Sequence, residues 1–72
     1  MNWELAANNW QQFKGTVKAR WLKFTDDELE SIAGKRAQLL SKIQETYGID
    51  RSAAEREIRA FESRNKNYRP KR

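Results

Sequence analysis

The sequence predicts an all-α fold: a small four-helix array of two packed α-hairpins with a disordered basic tail. Three observations carry this expectation. Trp10, Phe13, Val17, Trp21 and Phe24 recur at steps of three and four, which places them on one helical face. Thr25 with Glu28, and Ser52 with Glu55, have the spacing of capping boxes at helix starts. No segment alternates apolar and polar residues in a β-branched context, so strand signals are weak.

Taken in order, the periodicity predicts helices over about 9–23, 26–33, 35–47 and 52–63. Gly15 weakens the first by about 0.5–1 kcal/mol relative to alanine without breaking its pattern. The second starts at Thr25, with Asp26 and Asp27 placing negative charge where the helix dipole favours it. It carries Leu29 and Ile32 inward, and Gly34 closes it, although one uninterrupted helix through Tyr47 would keep the same register. The third buries Leu39, Leu40, Ile43 and Tyr47 and stops at Gly48. The fourth begins at Asp50 or Ser52, with Ala54, Ile58 and Phe61 as its inner face; from Asp50, Ile49 and Ala54 would form a hydrophobic staple. Trp3 and Leu5 are expected to pack back on the bundle.

Seventy-two residues make one domain. A chain of this size buries about 60% of its unfolded surface, so it depends on a few large side chains. The aromatics Trp3, Trp10, Phe13, Trp21, Phe24, Tyr47, Phe61 and Tyr68 are the candidates. There is no cysteine to add a disulfide or a thiolate metal site, which suits a reducing cytoplasm. The longest apolar run, Leu5-Ala6-Ala7, is too short for a signal peptide or membrane span, and no lipid anchor is expected.

The net charge of +5 is unevenly placed. Residues 1–63 hold ten Lys/Arg and ten Asp/Glu, so the whole excess lies in residues 64–72, "RNKNYRPKR". The sequence therefore divides into a balanced helical domain, 1–63, and a basic tail, 64–72.

The stretch "NNWQQFKGTVKARWLKFTDDELESIAGKRAQLLSKIQETYG" resembles the CsbD-like family of small bacterial stress-response proteins. The matching elements are Asn9-Trp10, Phe13-Lys14-Gly15, Lys18, Trp21, Thr25-Asp26-Asp27, Gly34-Lys35-Arg36, Gln38-Leu39 and Lys42-Ile43-Gln44-Glu45 running to Tyr47-Gly48. The likeness covers roughly Asn8 to Arg64, and its combined spacing is more specific than any single element. It implies two α-hairpins packed across each other, as in SAM-like domains, and an association with general stress. It implies no reaction, because the family has no established activity. Leu22 and Ser41 depart from the pattern, standing where relatives commonly place glycine, and the resemblance does not extend to the basic ending.

The residues themselves also argue against catalysis. With no histidine or cysteine, the usual general base, thiol nucleophile and nitrogen metal ligand are missing. Ser31, Ser41, Ser52 and Ser63 lie in no G-x-S-x-G elbow, and Gly15, Gly34 and Gly48 form no phosphate-binding loop. Asp26, Asp27, Glu28 and Glu30 form one acid cluster, whose plain reading is helix N-terminal charge. No enzyme activity, cofactor or metal is expected.

Two stretches carry a binding alternative. The aromatic face of residues 10–24, flanked by Lys14, Lys18, Arg20 and Lys23, could lie on a membrane or stack on bases. It is expected to be core instead, since every other predicted helix presents an apolar face needing a mate. Lys35, Arg36 and Lys42 read as a solvated face. The tail cations Arg64, Lys66, Arg69, Lys71 and Arg72, with Tyr68, read either as a solubility device or as a low-specificity nucleic-acid grip. A protective protein acting on other proteins would instead show an exposed apolar patch. The expectation is a monomeric cytoplasmic protein whose partner the sequence does not name.

Overall fold

A computed structural model describes residues 1–70. Five α-helices, and no strand, occur among the described residues: α1 (Trp3–Asn8), α2 (Trp10–Arg20), α3 (Asp26–Ile32), α4 (Arg36–Tyr47) and α5 (Arg51–Arg64). α1 packs on α2, and α4 packs against both α3 and α5.

The fifth helix is α1, which lies outside the four expected. Its six residues are too few to display a period, and only Ala6 is fully buried. Asn2 caps it, its side chain accepting the Glu4 N–H at 2.8 Å. Asn9 then separates α1 from α2: its amide Nδ2 donates to the Leu5 carbonyl at 3.0 Å and its backbone turns out of helical geometry. A short amide side chain that bonds its own backbone competes with helix continuation.

α2 ends at Arg20 rather than 23. The chain must leave helical geometry here so that Thr25 can adopt the extended conformation of an N-cap. Trp21 and Phe24 stay buried through the turn, while Leu22 points to solvent, 72% exposed. Lys18 Nζ donates to the Phe24 carbonyl and holds the turn against α2.

The Thr25 capping box forms in both directions: Glu28 N–H donates to Thr25 Oγ1 at 3.1 Å, and Thr25 N–H to Glu28 Oε1 at 2.9 Å. α3 does stop before Gly34. Ala33 and Gly34 both take positive φ, at 51° and 78°. Gly48 caps α4 at φ 62°.

α5 starts one residue earlier than the 52–63 expected and runs one further. Asp50 caps it, its side chain accepting the Ala53 N–H at 2.8 Å, and the Ser52–Glu55 box does not form. Glu55 is turned instead toward Arg36 of α4, which offers it two charge-assisted hydrogen bonds.

Among the described residues, fourteen form one core: Ala6, Trp10, Phe13, Val17, Trp21, Phe24, Leu29, Ile32, Leu39, Leu40, Ile43, Ala54, Ile58 and Phe61. The aromatic stripe of α2 is thus inside. Phe13 is its hub, with ring centroids 6.2 Å from Trp10, 6.3 Å from Trp3, 5.8 Å from Phe61 and 4.6 Å from Tyr68. Such pairs contribute about 0.5–1.5 kcal/mol each beyond the area they bury. Trp10 Nε1 donates to the Leu29 carbonyl at 2.8 Å, tying α2 to α3.

Candidate functional site

The basic C-terminal segment was the sequence's candidate contact region, and the structure places its members differently. Arg64 closes α5 and is exposed, as are Lys66 and Arg69. Lys71 and Arg72 lie outside the described residues. Against the expectation of disorder from residue 64, the described part of the segment turns back on the bundle. Tyr68 N–H donates to the Asn65 carbonyl at 3.0 Å, and the Met1 ammonium donates to the Lys66 carbonyl at 2.9 Å. The Tyr68 ring meets Phe13 edge-on, an apolar contact that a composition-based reading of the tail does not weigh. That packing engages the ring on which a base would otherwise stack, whereas Arg64, Lys66 and Arg69 remain at the surface.

Elsewhere, several cations are matched with acids. Lys14 Nζ lies 2.8 Å from Glu30, and Arg20 pairs with Glu57. Arg36 is the node of the largest network: Nη1 and Nη2 reach Glu55 at 2.9 and 3.0 Å, and Nε reaches Glu62 at 3.0 Å. Glu62 also accepts Trp3 Nε1 at 2.6 Å, so this network binds α1, α4 and α5 together. Hydrogen bonds from Arg36 hold the Glu55 carboxyl below the ordinary carboxylate range. At Glu62 burial pushes upward, but the hydrogen bonds from Arg36 and Trp3 outweigh it and the group also lies low. Arg36 is correspondingly raised by its bonds to Glu55 and Glu62.

α5 reveals what the charge count conceals. Its acids Glu55, Glu57 and Glu62 are all drawn to Arg36 or Arg20 on other helices. Its outward side keeps Arg51, Arg56, Arg59 and Arg64, all exposed. Of these, only Arg59 lies within ion-pair distance of a carboxylate among the described residues, at 3.8 Å from Glu55. The sequence signal was present in Arg56 and Arg59, one helical turn apart between Ser52 and Ser63, but the neutral sum over residues 1–63 masked it.

The acid cluster of α3 serves the fold. The Thr25 backbone N–H holds the Glu28 carboxyl low, and the Lys14 ammonium does the same for Glu30. No group of three or more acids able to hold a metal ion occurs among the described residues. A cleft of about 310 Å³ is lined by Arg20, Trp21, Ile43, Tyr47, Ile49 and Glu57, and its two charged side chains pair with each other. No helix among the described residues is long and apolar enough to cross a membrane.

An aromatic-cored, all-helical domain with this spacing of caps and tryptophans has known relatives. The family model described as CsbD-like matches residues 5–56, and the chain belongs to the CsbD-like family. It is similar to the UPF0337 protein YjbJ of Salmonella typhimurium, with 52% identity over 69 residues, covering 96% of this chain and 97% of that protein. YjbJ of Escherichia coli K12 is 52% identical over 65 residues, covering 90% of this chain and 94% of its own. A UPF0337 protein of Pectobacterium atrosepticum is 50% identical over 68 residues, covering 94% and 99% respectively.

Proposed function

We propose that this chain is a non-enzymatic, stress-associated protein of the bacterial cytoplasm, acting as a monomer, whose molecular activity is low-specificity contact with nucleic acid through its basic C-terminal segment. The stress association follows the family name. The observation that carries the binding activity is the contrast in charge pairing. Arg20 and Arg36 are engaged by Glu57, Glu55 and Glu62, whereas Arg64 and Lys66 stand exposed without a carboxylate within ion-pair distance among the described residues. A segment of exposed cations binds polyanions by releasing condensed counterions, which requires no enclosed pocket. The rival reading, a protective protein acting through apolar surface, draws little support: Leu22 is the one large hydrophobic residue exposed among the described residues. A single exposed leucine is ordinary surface rather than a patch.

The test is a fluorescence titration of the full chain with short nucleic acids at about 20 and 200 mM salt, beside a chain in which Lys66, Arg69, Lys71 and Arg72 are replaced by glutamine. Five phosphate contacts imply a loss of about four orders of magnitude in affinity over that salt range. Binding that ignores salt, or that survives the four replacements unchanged, would overturn the reading.

A further inference from the structure

We infer that the solvent face of α5 is a docking strip for the sugar–phosphate backbone of duplex DNA; this rests on the nucleic-acid reading above and extends it into the folded domain. The strip consists of Arg51, Arg56 and Arg59, which line one hollow, with Arg64 at the C-terminal end of the helix, all exposed.

Folding creates this surface by sorting charge. Along the sequence, α5 alternates acids and bases, yet its three glutamates are held by guanidinium groups of α2 and α4. Steps of four, three and four place Ser52, Arg56, Arg59 and Ser63 together on the outward side. A shallow hollow there is lined by Arg51, Ser52, Glu55, Arg56 and Arg59. The acids Asp26, Asp27, Glu28 and Glu30 sit on α3, with α4 packed against both α3 and α5. A polyanion approaching from the α5 side therefore avoids these acids and meets Arg51 and Arg56, neither with a carboxylate within ion-pair distance among the described residues, beside Arg59.

The chemistry of the strip selects the occupant. It is built mainly of arginine, whose planar fork takes two phosphate oxygens at once where lysine offers a point charge. A helix of this length spans about 21 Å, roughly six base pairs of a duplex. A helix that inserts into a membrane surface carries apolar side chains beside its cations, but Ala54, Ile58 and Phe61 are all buried in the core. Single strands call for aromatic platforms, but Phe61 of α5 is buried and Tyr68 beyond it is packed against Phe13. What remains is the regular phosphate row of a double helix, contacted without reading bases.

The decisive experiment titrates three full-length chains with a labelled duplex DNA of about 20 base pairs across a salt series: the wild type, Arg56→Gln with Arg59→Gln, and the tail variant described above. Both arginines are exposed, so far-ultraviolet circular dichroism should match the wild type, and Arg56→Lys with Arg59→Lys supplies a charge-preserving control. The expected result is a roughly tenfold or greater loss of affinity at low salt for the glutamine pair, with a log–log salt slope shallower by about 2. The lysine pair should keep the slope. If the wild type binds but the glutamine pair has the wild-type slope while the tail variant fails, the tail reading stands and this inference falls. If the wild type does not bind duplex DNA even at low salt, both fall. Tighter binding to single strands, to duplex RNA, or to phosphatidylglycerol vesicles than to duplex DNA would also overturn the assignment.

Discussion

Gly34 lies against the backbone of Ala7: a Cβ built on Gly34 would stand 2.4 Å from the Ala7 Cα and 2.7 Å from its nitrogen. Gly34 is buried and takes φ 78°, so both its conformation and its surroundings demand the missing side chain. The neighbour is backbone of α1, which cannot swing aside as a flexible side chain could.

Gly34→Ala should therefore destabilise the fold by about 2 kcal/mol or more, through left-handed strain and displacement of α1. Gly15→Ala is the counterpart. Gly15 lies in α2, and a methyl group added there would meet nothing within 4 Å, so the change should stabilise by about 0.5–1 kcal/mol. Urea denaturation of the two variants should shift the midpoint in opposite directions.

Helix capping offers a local test. Asp50→Ala should cost about 1 kcal/mol, because its carboxylate accepts the Ala53 N–H. Thr25→Ala should cost a similar amount, through the loss of one half of its box. Ser52→Ala should change the melting temperature little, since Ser52 lies inside α5 rather than at its cap. If Ser52→Ala were the costly change, α5 would start from Ser52, the other of the two caps the sequence offers.

Acid should weaken the Arg36 network. Glu55 and Glu62 both titrate lower in the folded chain than in the unfolded one, so the folded state binds fewer protons as pH falls. The stability they contribute is fully present above the unfolded carboxylate value of about 4.3 and is lost as pH drops through their lowered folded values. Melting temperature should begin to fall as pH drops toward the unfolded carboxylate value and keep falling below it. Arg36→Met removes the guanidinium that lowers both groups, so the variant should be less stable near neutrality and show a shallower acid limb. Glu28 and Glu30, also held low, should leave part of that limb in place.

Tyr68 tests whether the C-terminal segment belongs to the domain. Its ring lies 4.6 Å from Phe13, while its buried hydroxyl has no hydrogen-bond partner among the described residues. Tyr68→Ala should destabilise by about 1–2 kcal/mol, and Tyr68→Phe should be neutral or stabilising. Thermal melts of the two variants check this. A Tyr68→Ala chain as stable as the wild type would return residues 65–70 to the status of a free tail.

What the sequence revealed was local. Thr25 with Glu28, and Gly48 after Tyr47, announce a helix start and stop within one turn, and both hold in the structure. The aromatic face of residues 10–24 could be assigned to the core because its period is long and its apolar partners are numerous. α1 was missed because tertiary contacts sustain it: Gly34 beneath Ala7, and Trp3 bonded to a glutamate 59 positions away. The tail cations were visible as composition. The arginine face of α5 was not, because Glu55, Glu57 and Glu62 neighbour those arginines in sequence while their hydrogen-bond partners lie on other helices. Tyr68 was read both as a core candidate and with the tail cations, and its ring packs with the core.

The brevity of α1 has a consequence for how the folded molecule breathes. A six-residue helix has no autonomous stability, so α1 persists only while Trp3 and Ala7 stay docked. Its amide hydrogens should exchange with solvent by a sub-global opening, ahead of those in α4 and α5. That opening would lift the Trp3 ring from Phe61 and bare the Phe13 side of the aromatic cluster while the rest of the domain remains folded. α1 thus behaves as a detachable foldon, and its release would expose aromatic surface that the native state conceals.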